Sequence, residues 1–128
     1  MDIYREIILD HYKNPRNYGH LANSDKKAEG ANASCGDKIR MEVQLSVISS
    51  LPAQAGQSTV KDIRFNGTGC AISQATASML TEKVIGLKVD EILKLETKDI
   101  LEMLGTDLTP SRVKCATLPL EVLHSALI

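Results

Sequence analysis

The sequence predicts an α+β fold: a small antiparallel three-stranded sheet with helices packed on one face, an N-terminal helix and a C-terminal helical segment. Three observations carry this. Lys38 to Val47 alternates apolar and polar residues without error, the period of a half-buried antiparallel strand. After Gly67-Thr68-Gly69-Cys70 the apolar spacing changes to the helical period. Glycine, threonine and proline then punctuate the second half into helix-sized pieces. Strands first and helices afterwards is the α+β order, and the whole chain, 1–128, is expected to form one domain.

In chain order, Tyr4, Ile7, Ile8 and Tyr12 share a helical face between Asp2, a capping residue, and Asn14-Pro15, which stops the turn. Lys26 to Asn32 is expected as an edge strand. Ile39, Met41, Val43, Leu45 and Val47 form the apolar side of the best strand, opposite Lys38, Arg40, Glu42, Gln44 and Ser46. Ile63 and Phe65 mark a weaker strand over Val60 to Asn66, and the stretch Ser49 to Ser58 has the composition of a hairpin loop. Ala71 to Ile85 is expected as a helix ended by Gly86. Val89, Ile92 and Leu93 predict a short helix. Ile100, Met103 and Leu104 predict another, capped by Thr97 and closed at Gly105. Thr109-Pro110 opens the last helical segment, with the proline where its missing N–H costs nothing. Pro119 would clash with the carbonyl of Cys115 in a continuous helix, so a break is expected near Thr117.

Composition narrows function. A formal charge of -1 leaves no basic footprint for nucleic acid or an anionic membrane. Aromatics at 3% offer little for base stacking. The charged start Met1-Asp2-Ile3-Tyr4-Arg5-Glu6 is unlike a signal peptide, and no stretch approaches the roughly 20 apolar residues of a membrane span. A cytoplasmic protein whose partners are proteins and ions is expected. Three widely separated cysteines fit reduced thiols better than a disulfide framework.

Those thiols are the most informative residues. In Cys35-Gly36-Asp37 the outer residues point to one side of an extended chain, so a thiolate and a carboxylate can converge on one ion. Cys70 precedes a helix, where the dipole favours thiolate. Cys115 follows Lys114, with Arg112 nearby, and positive charge again favours ionisation. The thiols lie 35 and 45 residues apart, unlike the paired knuckles of structural zinc fingers. Each could equally be a small buried hydrophobe, the commonest role of a free cysteine. A neighbouring glycine or cation at each position tips the balance towards a ligand role.

Four segments taken together resemble the U-type iron–sulfur scaffold family: IscU, SufU and the N-terminal domain of NifU. They are Tyr4-Arg5-Glu6-Ile7-Ile8-Leu9-Asp10-His11-Tyr12-Lys13-Asn14-Pro15-Arg16-Asn17, Asn32-Ala33-Ser34-Cys35-Gly36-Asp37, Phe65-Asn66-Gly67-Thr68-Gly69-Cys70-Ala71-Ile72-Ser73 and Arg112-Val113-Lys114-Cys115-Ala116-Thr117-Leu118. The resemblance implies that Cys35, Asp37, Cys70 and Cys115 meet at an exposed end of the fold and hold zinc, iron or a transient [2Fe–2S] cluster. It implies sulfur supplied by a cysteine desulfurase, with Cys35 and Cys115 as candidate sulfur acceptors, and transfer to apo-proteins or carriers. Aspartate oxygen is a harder, poorer match to a cluster iron than thiolate, which suits a ligand set that must let go.

Within the family, a histidine precedes the last cysteine in IscU. Here Lys114 stands there, and a protonated ammonium cannot ligate metal, so it falls outside the ligand sphere and the motif is closest to SufU. Leu108-Thr109-Pro110 does not reproduce the segment chaperones grip in IscU, and chaperone delivery is not expected. The insertion usual in SufU between the second and third cysteines has no room here. A zinc-dependent sulfurtransferase of SufU type, and a structural zinc domain, remain the alternatives to a scaffold. His11 reads as a packed or capping histidine, the methionines Met41, Met79 and Met103 as core, and Tyr12, Tyr18 and Lys26-Lys27 as solvated positions.

Overall fold

The computed structural model of the chain describes residues 3–32, 36–46 and 57–128. Eight elements follow one another: α1 (Ile3–Lys13), β1 (Lys26–Asn32), β2 (Asp37–Ser46), β3 (Thr59–Thr68), α2 (Ala71–Val84), α3 (Val89–Leu93), α4 (Thr97–Leu104) and α5 (Pro110–Leu127). The expected α+β architecture is present. β2 is the central strand of an antiparallel sheet ordered β1-β2-β3, with Ala28 opposite Met41 on one side and Met41 opposite Phe65 on the other. β3 runs longer than Val60–Asn66 because Gly67 and Thr68 continue the pairing against Ile39 and Lys38. Asp2, Cys35, Val47 and nearly all of the expected loop Ser49–Ser58 lie outside the described residues.

Strand alternation sets the layers. Ile39, Met41 and Val43, fully buried, turn to the same side as Ile63 and Phe65, and α5 and α2 pack over that side. In β1, Gly30 pairs with Ile39, and a Cβ there would lie 2.8 Å from Val122 of α5, so the missing side chain lets the helix pack close. On the other side Lys38 pairs with Glu29 at 2.8 Å and His20 with Glu42 at 3.0 Å. Glu42 is itself buried on this polar side, a departure from simple alternation that the contact with His20 accompanies. The segment after Pro15 lies along β3: Phe65 N–H donates to the Asn17 carbonyl (2.9 Å), Gly19 N–H donates to the Phe65 carbonyl (2.8 Å), and Tyr18 meets Phe65 edge-on at 5.3 Å. Tyr18 is half exposed, so its ring is part solvated and part packed.

His11 is buried, as a packing role requires. Its Nδ1 lies 2.7 Å from Ser78 Oγ, which also accepts the Arg16 N–H at 2.8 Å. The same hydroxyl thus serves the His11 ring and the Arg16 backbone, and the ring tautomer sets which of Nδ1 and Oγ donates. Burial is the main cause that pulls His11 below its ordinary value, and Arg16 adds to it against the opposing carboxylates of Glu82 and Asp10. The contact ties α1 to α2.

Two expectations fail. Thr97 is the first residue of α4 and not its cap. Glu96 holds that position in a reciprocal capping box, with Asp99 Oδ2 accepting the Glu96 N–H at 2.7 Å. The expected break near Thr117 is also absent, and α5 runs through Pro119 to Leu127. An interior proline costs about 3 kcal/mol locally. Leu118, Leu120, Val122 and Leu123 are all buried in this stretch, and full burial contributes about 1.5–3 kcal/mol for each such side chain. Tertiary packing outweighs the local penalty. Thr117 Oγ1 adds a hydrogen bond to the Lys114 carbonyl (3.3 Å) one turn back.

Candidate metal centre

Three elements converge where β2 begins. Asp37 is the first residue of β2 and faces the same side as Ile39, so its carboxylate points under the helices and is 1% exposed. The β3 strand ends at Thr68, and Gly69 and Cys70 turn the chain into α2, with Cys70 as the extended N-cap residue (φ -74, ψ 168). The Cys70 sulfur caps no helix amide. The Cys70 N–H instead donates to Asp37 Oδ1 at 2.9 Å, and the sulfur lies 3.9 Å from Asp37 Oδ2. Cys115 comes from α5, its sixth residue, and is 2% exposed.

One ligand atom from each of Asp37, Cys70 and Cys115 lies within 4.8 Å of the others. Zinc bonded to sulfur at about 2.3 Å and to oxygen at about 2.1 Å in a tetrahedron separates the two donors by about 3.6 Å. The 3.9 Å between Cys70 Sγ and Asp37 Oδ2 is therefore close to coordination spacing. Two soft sulfurs and one hard oxygen suit zinc, or iron held with sulfide. Neither thiol forms a disulfide. Of the four expected ligands, the structure brings together three; Cys35 lies outside the described residues. The three are buried or half-buried, so this part of the site is set into the fold and is less open than the expected exposed end.

Glycine makes the corner possible. A Cβ on Gly69 would lie 2.6 Å from Asp37 Oδ1 and 2.6 Å from Ser73 Oγ. Gly67 has φ +144, and a Cβ there would lie 1.9 Å from the Lys38 carbonyl oxygen. Only a residue without a side chain brings β3 this close to β2 and the Cys70 amide this close to Asp37.

Two further residues support the corner and escape sequence reasoning. Ser73, fully buried, donates to the Cys70 carbonyl at 3.1 Å and sits 3.9 Å from its sulfur. Gln74 Nε2 donates to the Gly67 carbonyl at 3.2 Å. The available signal was positional: Ser73 occupies the third helical position, where side chains reach back to the cap.

The charges expected near Cys115 diverge. Lys114 is exposed and lines a depression of about 270 Å³ with Ala31, Asn32, Thr117, Leu118 and Glu121. Arg112 is exposed on a different groove, beside α1.

The family model for the NifU-like N-terminal domain matches residues 3–128. The chain belongs to that family. A NifU-like N-terminal domain is thus what folds around this corner, and the convergence of separated motifs follows from it. The chain is 36% identical over 124 residues to the iron–sulfur cluster assembly scaffold protein IscU of Aquifex aeolicus, covering 97% of this chain and 73% of that protein. It is 34% identical to the zinc-dependent sulfurtransferase SufU of Bacillus subtilis, covering 95% of this chain and 87% of the relative. Among solved structures, a candidate iron–sulfur cluster assembly scaffold for the SUF system from Fervidobacterium islandicum superposes with a TM-score of 0.76 at 29% identity, covering 96% of this chain and 95% of that one. No helix of the described residues is long and apolar enough to cross a membrane.

Proposed function

We propose that this NifU-like domain is a cytoplasmic iron–sulfur assembly scaffold that accepts sulfur from a cysteine desulfurase. Iron with sulfide, as a [2Fe–2S] cluster, is its cargo, held on Cys35, Asp37, Cys70 and Cys115 and passed to apo-proteins. Zinc is the resident ion when no cargo is loaded. The observation that carries this reading is the meeting of Asp37, Cys70 and Cys115 donor atoms within 4.8 Å from three different elements. The names of the relatives, scaffold and sulfurtransferase, are consistent with it.

Residue by residue, Asp37 is the labile ligand. One of its oxygens holds the Cys70 amide and the other faces the sulfur. Cys115 is the fixed ligand, seated in α5, and Cys70 the adjustable one at a glycine corner. Cys35 and Cys115 are the candidate sulfur acceptors. A protonated Lys114 beside Cys115 supports the second reading, a SufU-type zinc-dependent sulfurtransferase, because it takes the place of a nitrogen ligand.

One experiment separates them. Anaerobic reconstitution with ferrous iron, a desulfurase and free cysteine, followed by incubation with an apo-ferredoxin, yields a [2Fe–2S] chromophore that moves to the acceptor if the domain is a scaffold. Retention of zinc alone, with faster desulfurase turnover, establishes the sulfurtransferase instead. Asp37→Ala should lengthen the lifetime of a bound cluster by removing its poorest ligand, and an unchanged lifetime would contradict the labile role of Asp37.

A further inference from the structure

The chain has five arginines, and three of them are satisfied within the fold. Arg16 pairs with Asp10 at 2.6 Å, Arg40 with Glu29 at 3.7 Å, and Arg64 with Asp62. Arg5 and Arg112 have no ion-pair or hydrogen-bonding partner among the described residues. They come from opposite ends of the sequence, α1 and α5, yet both line one groove of about 460 Å³, within the range of clefts that take ligands. Most of the remaining lining is apolar: Ile8 and Leu9 of α1, Ile72 of α2 and Leu108 of the connection into α5. Among the described residues no carboxylate lines this groove; Glu102 and Asp107 line a neighbouring depression that shares Thr106 and Leu108.

Leu9 is 41% exposed, apolar area that water must cover unless something else does. Ala71 and Ile72 at the groove's inner edge directly follow Cys70. An occupant of this groove therefore sits one helical turn from the sulfur-bearing corner.

We propose that the groove docks a short segment of a partner protein in which a large apolar side chain is flanked by carboxylates, the apolar group over Leu9, Ile72 and Leu108 and the carboxylates on Arg5 and Arg112. Two arginines lining one apolar groove offer fork-like donors beside a hydrophobic contact, and carboxylates match such donors in geometry as well as charge. The apolar contact supplies affinity, and the arginines supply orientation and partner choice. This docking stands apart from the metal reading, and neither result decides the other.

The test uses the full chain and synthetic probes. A fluorescent peptide Ser-Glu-Leu-Phe-Glu-Ser is titrated by anisotropy against its glutamine and lysine counterparts, and the bound site is mapped from amide resonances. The glutamate peptide should bind about tenfold more tightly than the glutamine one, as two partly exposed ion pairs supply. Added salt should narrow that gap, and the shifts should centre on Leu9, Ile72 and Leu108. Arg5→Glu with Arg112→Glu should reverse the preference in favour of the lysine peptide, a gain that a misfolded protein could not show. Arg5→Gln alone should lower affinity for the glutamate peptide while zinc stoichiometry stays unchanged. Equal binding of glutamate and glutamine peptides, shifts centred elsewhere, or no reversal in the double variant would each overturn the proposal.

Discussion

Cys70 and Cys115 meet at one corner of the fold but are held by opposite means. Cys70 stands on a corner of backbone, with glycines on its N-terminal side; its N–H donates to Asp37, Ser73 donates to its carbonyl, and Gln74 donates to the Gly67 carbonyl. Cys115 stands in a helix whose residues 115–120 are all buried, so the packing of that helix fixes its place. The first depends on close approach and the second on bulk. A centre that must bind and release benefits from the difference, since one wall is rigid and the other is set by a few directional contacts that a partner can alter.

Breaking the close approach should have the largest effect. Gly67→Ala puts a Cβ against the Lys38 carbonyl at a φ that side chains avoid; a loss of several kcal/mol is expected, read by urea denaturation. An unchanged midpoint would mean the corner is not held as described. Next is Leu123→Ala in α5, fully buried, with an expected loss of about 2–5 kcal/mol. Zinc affinity measured on the fraction still folded should change little if Cys115 depends on the bulk of the helix and not on that one contact.

Gly69→Ala sharpens the contrast. The added methyl displaces the Asp37 carboxylate and the Ser73 hydroxyl, at a cost of about 1–3 kcal/mol in stability. Metal affinity should fall about 10- to 100-fold, as it does when supporting contacts to ligands are lost. Zinc competition titration checks it; a stability loss without an affinity loss would detach the corner from the metal.

The smallest effect is in pH. Burial depresses His11, so protons bind the unfolded chain better than the folded one. Stability is complete above the ordinary imidazole value of about 6.5 and declines as pH falls through it, levelling off below the depressed folded value. Arg16 deepens the depression, while Glu82 and Asp10 oppose it. Thermal midpoints of the native chain and His11→Gln should converge as the buffer is acidified. Parallel curves would show that another group governs the acid limb.

The strands and helices were legible because their periods are local: β1 falls over Lys26–Asn32 as expected, and α2 ends at Val84 with Ile85 as its cap, just before the glycine that signalled its end. Pro119 misled because its penalty is local while the compensating burial comes from α2 and the sheet, which no window of sequence contains. At Glu96 the pair that forms the cap was present in the sequence, but the adjacent threonine offered a simpler signal. At the site, motif order pointed to Asp37, Cys70 and Cys115. The bond from the Cys70 amide to Asp37 joins residues 33 positions apart and could not be read from either neighbourhood.

Asp37 divides its labour between its two oxygens, one anchored to the Cys70 backbone and the other turned to sulfur. In the proposed scaffold, unloading through the second would leave the first still fastened. The receptacle can thus be emptied and refilled without being rebuilt each time.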